Sequence, residues 1–341
     1  MTANSVNKKK TIDYIDYFKA YAIIFVVLGH VDIIGSGLKE WIYAFHMPVF
    51  FFASGVLMKP YDGEKKMLYI KKRVRRLIYP YFMWGIIYAT LEIKVIIYLF
   101  YGSYETIVRA GSLSSLWFLP VLFLAEIFFL IICGIINCKK EKYLIGVAVL
   151  TYVIGIIMPK LEYGYPWGGN VALVAVTFLI LGYISASKLQ AFEKCMSEKY
   201  RLFLCCGIFF AMAFFISLVT RLNHPYCECV KMSSLNVGVP YLFALSSIMG
   251  ILMLLGLCFL TEIIVPKLLK KGLSIIAKNT FGIFVIHKIV IRFSNKILIH
   301  LSLPRVMEII FVCVLAVFVS VVLSLFFSKE IPNLLGKNQK K

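Results

Sequence analysis

Apolar runs long enough to cross a bilayer recur along the whole chain, separated by short polar connections. They fall at about 14–35, 41–58, 77–93, 116–136, 143–159, 170–187, 202–220, 237–260, 276–292 and 306–328, each near the roughly 20 residues that a helix needs to span hydrocarbon. Lipid offers no partner for backbone N–H and C=O groups, so such runs fold as helices that satisfy themselves. Of the 341 residues, 61% are hydrophobic and 16% charged, with a mean hydropathy of +0.86. A water-soluble globule is about half apolar at most, and that class is excluded. The expected fold is all-α: a polytopic membrane protein with about ten transmembrane helices.

Charge placement sets the orientation. The net charge of +20 lies in clusters between apolar runs rather than on one basic face, which argues against nucleic acid as a partner. Connections on the side of the N-terminus hold about 26 Lys and Arg and those on the opposite side about 9, so both termini are expected to be cytoplasmic. The domain reading follows: a basic N-terminus over 1–12, one membrane domain over 13–328, and a basic tail over 329–341. Lys8, Lys9 and Lys10 precede an apolar run without a small-residue cleavage site, so the first run reads as an uncleaved span. The segment 94–115 begins apolar and is open between a re-entrant and an interfacial piece. The nine cysteines fit no zinc or disulfide spacing and read as small core residues; no metal site is expected.

Two spans carry ionisable residues that lipid would reject. Asp16, Lys19 and His30 lie in the first, and His46 stands at the mouth of the second. At about 100° per residue, Lys19 returns to within about 20° of the His30 face and Asp16 to within about 40°. The three form a stripe climbing roughly 20 Å, which must face protein or a wet cavity rather than lipid. His46 precedes Pro48 by two residues, and that proline is expected to open the helix and release carbonyl groups. His287 lies inside the ninth span, with Lys288 turned about 100° from it.

Five stretches carry a resemblance: IDYFKAYAIIFVVLGH at 15–30, FHMPVFFFASG at 45–55, KRVRRLIYPY at 72–81, SLWFLPVLF at 115–123 and NTFGIFVIH at 279–287. In this order they resemble the acyltransferase-3 family of integral membrane O-acyltransferases, and within it the fucose 4-O-acetylase-like branch. The resemblance implies about ten membrane helices and transfer of an acyl group, usually acetyl from cytoplasmic acetyl-CoA, to a carbohydrate hydroxyl. It also implies functional roles for Lys19 and His30, where members commonly have Arg in place of Lys19, and for Arg73 and Arg76. Some members carry an extracellular esterase-like domain; here the transfer is expected to be completed by the membrane part.

Acyl transfer from a thioester to an alcohol needs a base for the hydroxyl proton and donors for the developing oxyanion. His30 suits the base, with Lys19, Asp16 and His46 as the other catalytic candidates. His287 and Trp117 are candidates for substrate binding, although Trp117 also fits an interfacial anchor. Arg73 and Arg76, at i and i+3 and followed by Pro80, are candidates for the phosphates of coenzyme A, which favour forked guanidinium donors. Glu126, inside the fourth span, requires a partner that the sequence does not name.

The function expected is a multi-pass O-acyltransferase of the bacterial plasma membrane. Its partners are acyl-CoA, a carbohydrate acceptor and membrane lipid; acetyl-CoA serves as donor and no cofactor is held permanently. Donor and acceptor are expected to enter from opposite faces. The competing class is an exporter of a surface polysaccharide or lipid-linked sugar, which does not require the basic cytoplasmic patch. Oligomeric state is not written in the sequence.

Overall fold

The computed structural model describes residues 3–59, 63–88, 93–111, 114–136, 138, 140–195, 197–298 and 304–337. Among them the fold is all-helical, with one isolated bridge between Lys231 and Asn236. In chain order the helices are α1 (Ala3–Gly29), α2 (Ser36–Tyr43), α3 (His46–Leu57), α4 (Gly63–Arg73), α5 (Tyr79–Tyr88), α6 (Ile93–Tyr101), α7 (Tyr104–Arg109), α8 (Phe118–Ile135), α9 (Glu141–Ile157), α10 (Gly169–Cys195), α11 (Glu198–Asn223), α12 (Pro240–Ile264), α13 (Lys267–Lys278), α14 (Thr280–Leu298) and α15 (Arg305–Glu330).

Six helical stretches among the described residues are long and apolar enough to cross a membrane: Ser36–Leu57, Ser114–Ile135, Pro166–Phe192, Glu198–Asn223, Pro240–Ile264 and Arg305–Glu330. A seventh is counted if Lys267–Lys278 and Thr280–Lys296, bent by 84° at Asn279, form one broken span. Large apolar side chains on these helices point outward, among them Phe210, Phe214, Val314 and Phe318, each more than 60% exposed. Exposure on that scale is stable only against lipid. Helices α6 and α7, nine and six residues long, are too short to span, at about 1.5 Å per residue.

The chain divides into two compact units. Unit 1 comprises Met1–Ala53, Ser187–Val230 and Val237–Leu325; unit 2 comprises Ser54–Ala186, Lys231–Asn236 and Phe326–Lys341.

In unit 1, α1 packs against α12, α13 and α14. Tyr14 stacks on Phe259, and the Tyr21 hydroxyl lies 2.6 Å from that of Thr261. The break between α2 and α3 has a local cause. Pro48 has no N–H for the carbonyl four residues back, that of Ala44. The Ser247 hydroxyl donates to this Ala44 oxygen at 3.2 Å, so α12 supplies a missing donor; the Ser246 hydroxyl, 3.4 Å away, has the Phe243 carbonyl nearer at 3.0 Å. Gly250 on the same helix lets it approach Phe45, whose side chain occupies the place a Cβ would need.

In unit 2, the chain widens between α4 and α5 into a π-turn over Val74–Ile78, with the Tyr79 N–H reaching back to the Val74 carbonyl. Pro80 offers no N–H to the Arg76 carbonyl, and the wider turn accommodates that loss. A short helical turn at Pro332–Leu335 rests on this region: the Leu334 carbonyl accepts from Trp84 Nε1 at 2.9 Å, and Gly336, at φ 62°, sits against the Arg76 backbone. Gly55 is a second close approach, since a Cβ there would meet the Leu179 carbonyl. One cysteine reading is corrected: Cys133 and Cys138 are joined by a disulfide at the end of α8. Their separation of five residues falls outside the spacings of disulfide frameworks, and the turn after α8 closes it.

Candidate active site

Three histidines from three helices meet in unit 1. The end of α1 carries His30, and Gly29 beside it leaves room for Ile42 and Tyr43 of α2. The first residue of α3 is His46, and His287 lies in the middle of α14. Tyr43 joins two of them: its ring centroid is 4.6 Å from that of His46 and 6.0 Å from that of His30. The rings of His30 and His287 are 5.1 Å apart at 69°, edge to face.

The three imidazoles share one hydrogen-bonding pattern. His30 Nδ1 lies 2.7 Å from the Val26 carbonyl, His46 Nδ1 3.1 Å from that of Ile42, and His287 Nδ1 3.0 Å from that of Ile283. A carbonyl only accepts, so each Nδ1 carries the hydrogen and each Nε2 presents a lone pair in the neutral ring. This fixes the tautomer a general base requires. His46 and His287 are buried and His30 half-buried. The Nε2 of His287, in a fully buried side chain, has no hydrogen-bond partner among the described residues. A buried acceptor left unmade is costly and marks a place where a donor is received.

Lys288, half-buried, lies within electrostatic reach of all three imidazoles. Lys39 of α2 stands 5.8 Å from the centre of the Tyr43 ring. The Asp32 carboxylate, in the turn after α1, accepts from Asn295 at 2.6 Å.

Asp16 and Lys19 form an ion pair at 2.7 Å. It lies on the same helix as His30 but, for Lys19, roughly 16 Å along it at about 1.5 Å per residue. The pair is therefore not among the groups that touch the imidazoles.

The remaining candidates belong to unit 2. Arg73, the last residue of α4, grips the Glu126 carboxylate with Nε and a terminal nitrogen together. The Ser54 hydroxyl donates to the same carboxylate at 2.7 Å and that of Tyr69 at 3.1 Å. Glu126 is 1% exposed, and four donor bonds satisfy it. The partner set of Glu126 is what sequence reasoning missed; the signal was a lone carboxylate inside an otherwise apolar run. Arg76, within the π-turn, is exposed. The two arginines therefore occupy different environments. Trp117 is buried in the tight turn that leads into α8. Among the described residues no three His, Cys, Asp or Glu are placed to hold a metal ion.

Fold and site together define a class: a multi-pass α-helical membrane protein with three histidines from three helices grouped around Tyr43. Residues 12–325 match the acyltransferase domain that defines the acyltransferase-3 family, and the chain belongs to that family of membrane acyltransferases. No curated protein and no solved structure matches the chain.

Proposed function

We propose that this acyltransferase moves acetyl from cytoplasmic acetyl-CoA to a hydroxyl of a cell-surface polysaccharide or its lipid-linked precursor, as in the fucose 4-O-acetylase-like branch it resembles. The observation that carries the reading is the His30–Tyr43–His46–His287 group, with Nδ1 of each imidazole tied to the carbonyl four residues back and Nε2 left as acceptor. In this reading His30 Nε2 takes the proton of the acceptor hydroxyl as its oxygen bonds to the thioester carbonyl carbon. The tetrahedral intermediate then collapses with cleavage of the carbon–sulfur bond. The departing thiolate recovers the proton from the imidazolium, leaving an ester and free CoA. His46 and His287 orient the hydroxyl. The Asp16–Lys19 pair serves the polar path along α1 rather than the reacting atoms.

The donor phosphates are assigned to Arg76 and to Arg73, whose guanidinium Glu126 already orients. Trp117 contributes a platform for the acceptor or acyl group. Ten spans with both termini cytoplasmic, in a bacterial plasma membrane, complete the proposal. Helices within all ten apolar windows and the charge asymmetry of the connections support that topology.

The test is transfer of labelled acetyl from acetyl-CoA to surface glycan in detergent-purified protein, with CoA release counted in parallel. Transfer that depends on His30 is the expected result; CoA release without acetyl on the glycan removes the carbohydrate acceptor. Sealed vesicles with acetyl-CoA only on the cytoplasmic side and glycan only outside test the sidedness. Transfer confined to vesicles holding both on the cytoplasmic side overturns it.

A further inference from the structure

Helix α13 of unit 1 carries four lysines and no acidic residue along KLLKKGLSIIAK. Its 12 residues reach about 18 Å at 1.5 Å per residue, too short to cross hydrocarbon. It meets α14 at 84°. Two helices at that angle cannot both stand along the membrane normal, and the short, lysine-rich one is the one that lies near the membrane plane.

The bend between them is built from buried bonds. Asn279 is 4% exposed; its Nδ2 donates to the Ile275 carbonyl at 2.9 Å, and its Oδ1 accepts from Ser324 of α15 at 2.9 Å. Gly282 leaves the room that Ser324 occupies. Because α13 also packs along α1, each of its faces has a set surrounding.

At about 100° per residue three faces separate around the helix. The inner one holds buried Ala277 with Leu273 and Lys270 half-buried beside it. Lys270 has a structural use there, donating to the Glu262 carbonyl at 2.7 Å and so capping the end of α12. A second face is apolar and points away from the protein: Leu268 is 78% exposed, Leu269 61% and Ile275 47%. Lys267, Lys271 and Lys278, all exposed, form the third face, within about 40° of one another and bordering Leu268 and Ile275.

Large apolar side chains in that number are stable outside the protein only against lipid, and lysines along their border reach the headgroups. Rules of topology account for the sign and side of these lysines, but not for their alignment in a stripe beside an exposed apolar face. The side is readable from unit 1 itself. Tyr14 stacks on Phe259 and Tyr21 bonds Thr261, so the end of α12 lies against the N-terminal part of α1, and α13 follows directly. On the proposed topology this is the cytoplasmic leaflet.

We propose that α13 is an interfacial helix that binds the headgroup of an anionic phospholipid, with Leu268, Leu269 and Ile275 among the acyl chains and Lys267, Lys271 and Lys278 on the phosphate. A zwitterionic headgroup cancels its own phosphate charge, whereas an anionic one leaves it for the lysines. The site stands apart from the acyl donor and acceptor and does not depend on the acyltransferase reading.

The experiment is photolabelling of the full-length protein in phosphatidylcholine nanodiscs, using phosphatidylglycerol and phosphatidylcholine probes that carry the same diazirine near the glycerol, with labelled peptides mapped by mass spectrometry. Label on 267–278 is expected to favour the phosphatidylglycerol probe at least about tenfold, and unlabelled phosphatidylglycerol, not inorganic phosphate, competes. K271Q is expected to cut that preference about fivefold, the factor of one lysine at a headgroup surface. The triple variant K267Q/K271Q/K278Q abolishes it, and K267R/K271R/K278R keeps it. Should the triple glutamine variant fail to insert, K271Q and the arginine variant decide.

Equal labelling by the two probes, a preference unchanged in the glutamine variants, or displacement by inorganic phosphate overturns the inference. Absence of label from 267–278 also overturns it and leaves that face to a protein partner.

Discussion

Two of the buried polar groups among the described residues are built in opposite ways. In unit 2 Glu126 is saturated: Arg73, Ser54 and Tyr69 donate to it from α4 and the end of α3. In unit 1 each of the three imidazoles bonds one nitrogen to the carbonyl four residues back, and His287 keeps a buried acceptor without a donor among the described residues. A closed network ties elements together, and its removal is expected to register as lost stability. An open one retains unspent hydrogen-bonding capacity, and its removal is expected to register as lost chemistry.

The sharpest way to break that contrast is His30→Ala. Acetyl transfer is expected to fall by about a hundredfold to ten-thousandfold, the usual range for a positioned base, with the protein still monodisperse and its unfolding temperature little changed. Near-normal turnover would remove His30 as the base.

Glu126→Ala is the counterpart. It leaves the Arg73 charge in a largely buried place without its carboxylate, which is expected to cost about 3–5 kcal/mol of stability. Unfolding in detergent measures it. If stability holds and only transfer is lost, Glu126 belongs with the histidines and the division into a closed and an open group fails.

Arg76→Ala separates two uses of arginine within unit 2. An exposed Arg76 that contacts a donor phosphate should weaken acyl-CoA binding about ten- to a hundredfold, from the roughly 1.5–3 kcal/mol of one charge-assisted bond. Titration of CoA against the variant reads this directly. Unchanged affinity reduces Arg76 to a topology signal.

The smallest effect is expected at Ser247→Ala. The Ala44 carbonyl loses its nearer donor, so about 1 kcal/mol of stability should be lost and transfer should fall only through the placement of His46. A stability change near zero would mean that Pro48, rather than α12, sets the α2–α3 break.

Much of the architecture was legible because period and length are local properties. The apolar windows, the helical face shared by Asp16 and Lys19, and the carbonyl released by Pro48 all follow from geometry along one helix, and the ion pair at 2.7 Å and the uptake of the Ala44 oxygen agree with them. Family membership was legible for a related reason: its stretches are short runs of consecutive residues, most of them within or at the end of one helix, with 72–81 running from α4 through the π-turn into α5. The different surroundings of Arg73 and Arg76 were not legible, because the carboxylate that holds Arg73 lies far away in the chain and an i, i+3 argument does not include the π-turn between them.

What the sequence by itself determined is an all-α chain with apolar helices of membrane-spanning length, the sign and spacing of its charges, and the histidines and carboxylates that lipid would not tolerate. Helical rise and lipid solvation act on consecutive residues, so a linear reading reaches them. Only the tertiary structure decided that His30 meets His287 from a helix more than 250 residues away, that Glu126 belongs to Arg73, and that Lys39 stands beside Tyr43 near Lys288. Those pairings depend on which helices pack together, and shape complementarity between distant segments leaves no period in the sequence from which to read it.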